Sequence, residues 1–276
     1  MTVQLQGVLS KMAAQLGEQV EYALRLGEAV LPLNEHLGKT IRLRFTGKIQ
    51  CTHCGRATKK SYSQGYCYPC SQKLAACDLC IVKPELCHYD KGTCREPEWG
   101  EAHCMQSHIV YLANASGVKV GITRHTQIPT RWIDQGAMQA IPVFQVKSRF
   151  QSGLLEIGLK KHVSDRTDWR RMLKGPADAL DLLQYKAQLK EAEPHLLDDL
   201  RARFGEQAVI ECEDQPAVDI VYPVLSYPEK VKSLGFDKLP DISGLLEGIK
   251  GQYLLLSTGV LNIRKHTGYV VEVELS

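Results

Sequence analysis

Two textures of apolar and polar side chains divide this chain. Near the N-terminus, EYALRL (21–26) and TIRLRFTGKI (40–49) alternate with the period of two that half-buried strands require. Pro32, Asn34 and Gly38 mark turns between them, and residues 12–16 read as a loop or a short helix. From about residue 206 the same texture returns. AVIEC, DIVYPV, QYLLLS, VLNIRK and YVVEVEL are short apolar or alternating runs, and Gly251, Gly259 and Gly268 fall between the last of them. Residues 248–273 resemble the hairpins of a small barrel, and the N-terminal strands are candidates to complete that β unit.

The middle of the chain changes period. HIVYLANASGVKVGIT (108–123) is two apolar runs around a polar break, Asn114-Ala115-Ser116-Gly117, the pattern of a hairpin. A turn centred near Ala115 would set Tyr111 opposite Lys119 on one face. TRWIDQGA (130–137) reads as a short helix carrying Arg131, and AIPVFQV (140–146) as a third strand. SGLLEIGLKKHV (152–163) reads as an amphipathic helix with Glu156 among leucines. Residues 177–204 are helical in pattern, broken by Pro194 and ended by Gly205, with Leu180, Leu183, Ala187 and later leucines as a core stripe. The expected class is α+β: a β-rich segment (1–50), a cysteine-rich segment (51–107), a small antiparallel sheet flanked by helices (108–175), a helical segment (176–204) and a β-rich C-terminal domain (205–276).

Composition sets the compartment. No apolar run approaches the roughly 20 residues of a membrane helix, and MTVQLQGVLSKMAAQLGEQ lacks a basic start followed by an apolar core. A cytoplasmic protein is expected. Nine of the ten cysteines lie between Cys51 and Cys104, and in a reducing compartment such clustering favours metal over disulfides. CTHC (Cys51, Cys54) and CYPC (Cys67, Cys70) are separated by twelve residues, a spacing that places four thiolates around one zinc ion. Gly55 and Gly65 suit the tight turns of such knuckles; His53 is expected to be exposed. Cys77, Cys80, Cys87 and Cys94 are the simplest set for a second zinc, with Cys104 as alternative and His88, His103 and His108 nearby. Reduced structural thiols or a redox pair are the other reading of this second group. Closed four-ligand sites argue for scaffolding, not zinc catalysis.

The net charge of +3 is too mild to indicate a partner by itself, but residues 146–175 hold eight Lys or Arg against three Asp or Glu. Lys147, Arg149, Lys160, Lys161, Arg170 and Arg171 are candidates to meet nucleic-acid phosphates; a solvated helix face is the plainer reading. Trp169 between basic residues would stack a base or pack on its own helix. Lys250, Arg264, Lys265 and His266 form a smaller basic group, equally suited to guarding a strand edge.

Tyr111, a strand glycine, Arg131 and a helical Glu156, in that order, resemble the GIY-YIG nuclease superfamily. Ile109-Val110-Tyr111 stands where its first motif would be and Lys119-Val120-Gly121 where its second would be, Lys119 replacing the motif's tyrosine. The resemblance covers about a fifth of the chain. The whole sequence, zinc-type cysteines included, looks like the DUF2797 group, commonly placed near those nucleases.

That resemblance implies a phosphodiesterase in which Tyr111 acts on water, Arg131 clamps the phosphate and Glu156 holds one Mg²⁺ or Mn²⁺. A phenol with a reference pKa of about 10 is a poor base unless a cation favours its phenolate, and Lys119 is the expected cation. A single carboxylate with waters suits Mg²⁺. Each residue also has an ordinary reading: Tyr111 in β packing, Lys119 on a strand edge, Arg131 paired to Asp134, Glu156 at a water-facing position. The expected activity is zinc-stabilised, divalent-metal-dependent cleavage of DNA or RNA. The alternatives are a non-catalytic nucleic-acid-binding protein using the same pocket and a zinc-dependent redox or sensor protein. Oligomeric state is not legible.

Overall fold

A computed structural model of the protein describes residues 3–163 and 167–276, so Asp165 and Arg166 of the basic stretch lie outside the described residues. The N-terminal alternation forms β1 (Val3–Val8), β2 (Ala13–Gln15), β3 (Glu21–Leu26), β4 (Ala29–Pro32) and β5 (Thr40–Gln50). Residues 12–16 are neither loop nor helix, because β2 pairs with β3 in a three-stranded sheet. The Gln252 side chain holds its entry, accepting from the Met12 N–H at 2.8 Å and donating to the Met12 carbonyl at 3.2 Å. That partner lies 240 positions away, so no local pattern announces the strand.

β6 (Ala57–Thr58) folds back on the end of β5 and opens the cysteine-rich module. The module contains two short helices, α1 (Tyr68–Lys73) and α2 (Pro97–His103), joined by four one-turn 3-10 segments.

The central hairpin is β7 (His108–Asn114) and β8 (Val118–Arg124). Asn114 pairs with Val118, which centres the turn on Ser116 and not Ala115. Tyr111 therefore faces Gly121, and Lys119 faces Ala113. Tyr111 and Lys119 still share a face, on the diagonal. After α3 (Thr130–Asp134), β9 (Gln139–Val146) takes the other edge of β7. The β7–β9 register shifts between Val110 and Tyr111, beside Pro142, which has no N–H to give a regular ladder.

α4 (Arg149–Leu159) begins with a capping box: Gln151 N–H donates to Ser148 Oγ, and the Gln151 side chain accepts from the Ser148 N–H. α5 (Trp169–Met172), α6 (Leu182–Ala192) and α7 (Pro194–Phe204) follow. Pro194 starts α7, and Gly205, at φ +95°, ends it. The buried stripe runs through Leu182, Lys186 and Leu189, one position away from the expected Leu183 and Ala187, which are exposed. Asp181 caps α6 by accepting from Gln184 N–H, and buried Lys186 gives its ammonium to the carbonyls of Cys212 and Glu213 and to Asp214. A charged residue inside the stripe hid its phase.

β10 (Val209–Glu211) and β11 (Val218–Asp219) both pair with β9, giving a five-stranded central sheet. The boundary expected at residue 205 thus falls inside the central layer. The chain then forms β12 (Ser233–Leu234), β13 (Asp241–Lys250), β14 (Tyr253–Leu256), β15 (Gly259–Asn262) and β16 (Tyr269–Leu275). β16 lies between β1 and β5, and β13 lies on the far side of β5, so the two ends of the chain build one sheet.

β7 is buried along its whole length, because each face meets a different core. Ile109, Tyr111 and Ala113 pack with Trp132 and Ile133 into the core of the terminal β unit. Val110 and Leu112 pack with Leu155, Leu159, Leu189, Leu197 and Leu200 beneath the helices. At about 1.5–3 kcal/mol per fully buried large apolar side chain, this strand is the anchor that joins the two cores. No helix among the described residues is long and apolar enough to cross a membrane.

Candidate functional site

The first thiol cluster is set by two turns. Cys51 ends the β5 strand, and the Gly55 N–H returns to the Cys51 carbonyl with Gly55 at φ +69°. Cys67 and Cys70 flank and enter α1, after Gly65 at φ +135°. A Cβ at Gly65 would stand 2.9 Å from Thr52 Oγ1, so the second turn closes tightly on the first knuckle. The four ligand atoms of Cys51, Cys54, Cys67 and Cys70 all lie within 4.8 Å of one another.

A tetrahedron with metal–sulfur bonds of about 2.3 Å has edges of about 3.8 Å. The Cys54–Cys67 sulfur separation is 3.8 Å. Burial would push the Cys51 thiol up, but backbone N–H groups of Cys54, Cys67 and His53 outweigh it and hold it down at about 6. The cluster can hold a metal ion such as zinc. His53 is exposed and outside it.

The second group of cysteines separates. Cys80, Cys87, Cys94 and Cys104 line one small cavity together with Asp78 and His88. Cys77 lies elsewhere, interacting with Ser63, Arg95 and Cys51 on the side of the first cluster. His103 stacks on Trp99 at 4.1 Å, and His108 is buried in the sheet.

The third centre surrounds Tyr111. Its ring is fully buried, edge-on to Trp132, and its hydroxyl donates to Gln135 Oε1 at 3.2 Å. Gly121 makes the space: a Cβ there would stand 2.7 Å from the Tyr111 hydroxyl. Burial pushes the phenol up, Arg131 and the Gln135 hydrogen bond oppose it, and Glu156 adds to the rise. The net direction is upward. Arg131 is a cation that acts on the phenol, and the expected Lys119 lies buried two ladder pairs nearer the turn.

β7, α3 and α4 bring Tyr111, Arg131 and Glu156 into one electrostatic neighbourhood. Arg131 does not take Asp134, whose carboxylate receives Lys11 and Gln252, each at 2.9 Å. Two further arginines belong here. Arg149, mostly buried, interacts with both Arg131 and Glu156. Arg264 interacts with Arg131 and donates to Gln64 Oε1 at 2.8 Å, so the C-terminal hairpins and the first knuckle loop both reach this centre. Burial pushes both guanidinium groups down from their usual range.

The remaining basic candidates scatter. Lys147, Lys160, Lys161 and Arg171 are exposed, Lys161 reaching Glu193 at 3.4 Å. Arg170 lies 4.3 Å over the Trp169 ring, which itself stacks on Tyr253 at 5.8 Å, so Trp169 is packed rather than offered to a base. Lys250 and His266 are buried; the ammonium of Lys250 donates to the Gly175 carbonyl at 3.1 Å. Arg149 is half-buried, its guanidinium turned to the Ile81 carbonyl. Gln135 escaped the sequence reading, since it stands in no recognisable motif.

Comparison with known proteins adds one family. The family described as "Protein of unknown function (DUF2797)" matches residues 38–271. No curated protein and no solved structure matches the chain.

Proposed function

We propose, from the premise that this chain belongs to the DUF2797 family, that it is a phosphodiesterase acting on DNA or RNA in the cytoplasm with a GIY-YIG-like centre. The observation that supports this reading is the gathering of Tyr111, Arg131 and Glu156 from three separate elements, with Arg149 and Arg264 adding positive charge. Arg131, half-buried on α3, would hold the phosphate and offset the charge that grows on it. Glu156, half-buried on α4 with waters to complete the set, fits the single carboxylate that Mg²⁺ or Mn²⁺ requires. Such an ion, when bound, supplies charge neutralisation and activation of water. Tyr111 keeps its proton, because burial raises the phenol, and positions Gln135 and the strand edge. The exposed Lys147, Lys160, Lys161 and Arg171 would follow the strand backbone, and zinc in the first thiol cluster would serve as scaffold.

Incubation of the purified chain with labelled DNA and RNA in Mg²⁺ tests this. Cutting should fall about 10²–10³-fold in Arg131→Ala, and Glu156→Gln should abolish it with zinc content unchanged. Cutting by Glu156→Gln at the unmutated rate would refute the mechanism.

One observation favours a second reading, phosphate binding without hydrolysis: the phenol that would act on water is enclosed and held protonated. That reading expects binding that weakens with salt through counterion release, no turnover with any divalent ion, and loss of binding in Arg131→Glu.

A further inference from the structure

Residues 78–104 have almost no apolar interior. Leu79, Val82 and Leu86 are 54%, 75% and 47% exposed, and the segment is a succession of one-turn helices ending in α2. A stretch this short with its leucines outside cannot hold its shape by hydrophobic burial, the circumstance in which a structural metal supplies the folding energy. What lines its centre instead is largely sulfur. Cys80 lies in electrostatic reach of Cys87 and Cys104, and Cys104 of Cys87 and Cys94. All four line one cavity of about 20 Å³, room for a single water-sized occupant and too small for a substrate. Gly100 keeps the wall thin, since a Cβ there would stand 3.4 Å from Cys94 Sγ and 3.0 Å from the Tyr89 ring.

We propose that Cys80, Cys87, Cys94 and Cys104 form a second tetrathiolate zinc site, and that its ion fixes the platform on which the first turn of α4 is docked. Four soft thiolates around one small cavity are a zinc ligand set. The competing donors are already engaged. Asp78 receives Arg95 at 2.6 Å and the Cys80 N–H at 3.2 Å, and His88 Nδ1 is bonded to Thr93 Oγ1 at 2.8 Å. Asp78, Cys80 and His88 do lie within 4.8 Å of one another, and they define the rival set. Cys77, which chain spacing would place in this site, belongs to the other side of the module.

The docking is specific. Arg149 Nη2 donates to the Ile81 carbonyl at 2.6 Å, and the Arg149 N–H donates to the Cys104 carbonyl at 2.8 Å. Gly153 lies flat on the turn after Lys83, where a Cβ would stand 2.5 Å from Pro84 Cβ. The helix that carries Glu156 is thereby held by residues beside two of the four ligands. This goes beyond the phosphodiesterase reading and holds whether or not the Glu156 centre cuts.

Zinc per chain, measured on the purified full-length protein, tests the assignment. Two equivalents are expected for the unmutated chain, for Cys77→Ser and for His88→Asn, and one for Cys104→Ser. One equivalent in the unmutated chain, in Cys77→Ser or in His88→Asn, or two in Cys104→Ser, would overturn it. Should Cys104→Ser fail to fold, cobalt titration of the unmutated chain decides: two equivalents, both with thiolate-to-metal charge transfer and tetrahedral d–d bands, support the site, and saturation at one refutes it. For the docking, amide exchange at residues 149–153 should quicken roughly tenfold or more in Cys104→Ser while β16 stays protected; unchanged exchange there would refute that half.

Discussion

Arg149 reaches from the first turn of α4 to the Ile81 carbonyl in the cysteine-rich module, at 2.6 Å, and also lies in reach of Glu156 and Arg131. One side chain thus ties the cysteine-rich module to the candidate phosphate centre. Replacing Arg149 with Met removes a charged donor from a mostly buried position and leaves the Ile81 carbonyl without it. The expected loss is about 2–4 kcal/mol of stability. Urea unfolding monitored by tryptophan fluorescence would measure it; a change below about 0.5 kcal/mol, the ordinary range for surface positions, would mean that the contact is dispensable.

Gly121 is required by its partner and not by its backbone angles. A methyl at this position meets the Tyr111 hydroxyl and ring at 2.7 Å, both fixed in a closed core. Gly121→Ala is therefore expected to cost about 1–3 kcal/mol through overpacking. Pairing it with Tyr111→Phe, which removes one of the two atoms at 2.7 Å, should recover part of the loss. A double-mutant cycle with no coupling would show that the strand yields instead.

His108 gives the fold an acid sensitivity. Burial pushes its imidazole down to about 4, the Gln106 carbonyl opposes this, and Arg149 and Arg124 add to the fall. Between that value and the ordinary 6.5, the unfolded chain takes up a proton that the folded chain refuses. The stabilisation is complete above about pH 6.5 and is lost as pH falls toward 4, on the order of 3 kcal/mol in all. His266, also lowered by burial, acts in the same sense. The slope of stability against pH between 4 and 6.5 should be shallower in His108→Gln than in the unmutated chain; identical slopes would remove His108 from the account.

Zinc in the first thiol cluster should be separable from the phosphate centre. Cys54→Ser is expected to lose one equivalent of zinc and to loosen β6 and α1, which have few apolar contacts of their own, while α4 stays ordered. Amide exchange with mass analysis distinguishes the two regions. Equal loosening of both would show that the clusters stand or fall together.

Much of this was readable in the chain. The CTHC and CYPC pairs are local signals, and local signals survive folding: Cys51, Cys54, Cys67 and Cys70 meet. The hairpin at 108–124 and the helix around Glu156 were equally plain, because hydrophobic period reports short-range structure. Long-range facts were not. β13, ten residues long, was hidden by Gly244 and Gly248, whose missing side chains make room for Ser257, Thr258 and Val224. The ladder partner of Tyr111 turned on a single-residue shift in the turn centre, which moves the pairing by two. Arg149 read as surface charge because it carries a long basic side chain, yet the Ile81 carbonyl far along the chain receives it. Spacing put Cys77 ahead of Cys104, yet Cys104 and not Cys77 lines the cavity, since which thiol faces it depends on how the turns between them are wound.

The placement of β16 between β1 and β5 has a consequence for biosynthesis. Val3–Val8 emerges from the ribosome long before its ladder partner, Tyr269–Leu275. The outer layer therefore cannot close until those residues have been made, and contacts of such long sequence separation carry a large loop-closure cost. The thiol-rich turns and the β7–β8 hairpin, whose partners are near neighbours, are free to organise while the opening strand waits. A nascent chain halted before residue 269 should already exclude protease from the middle of the molecule and leave its beginning open to cleavage.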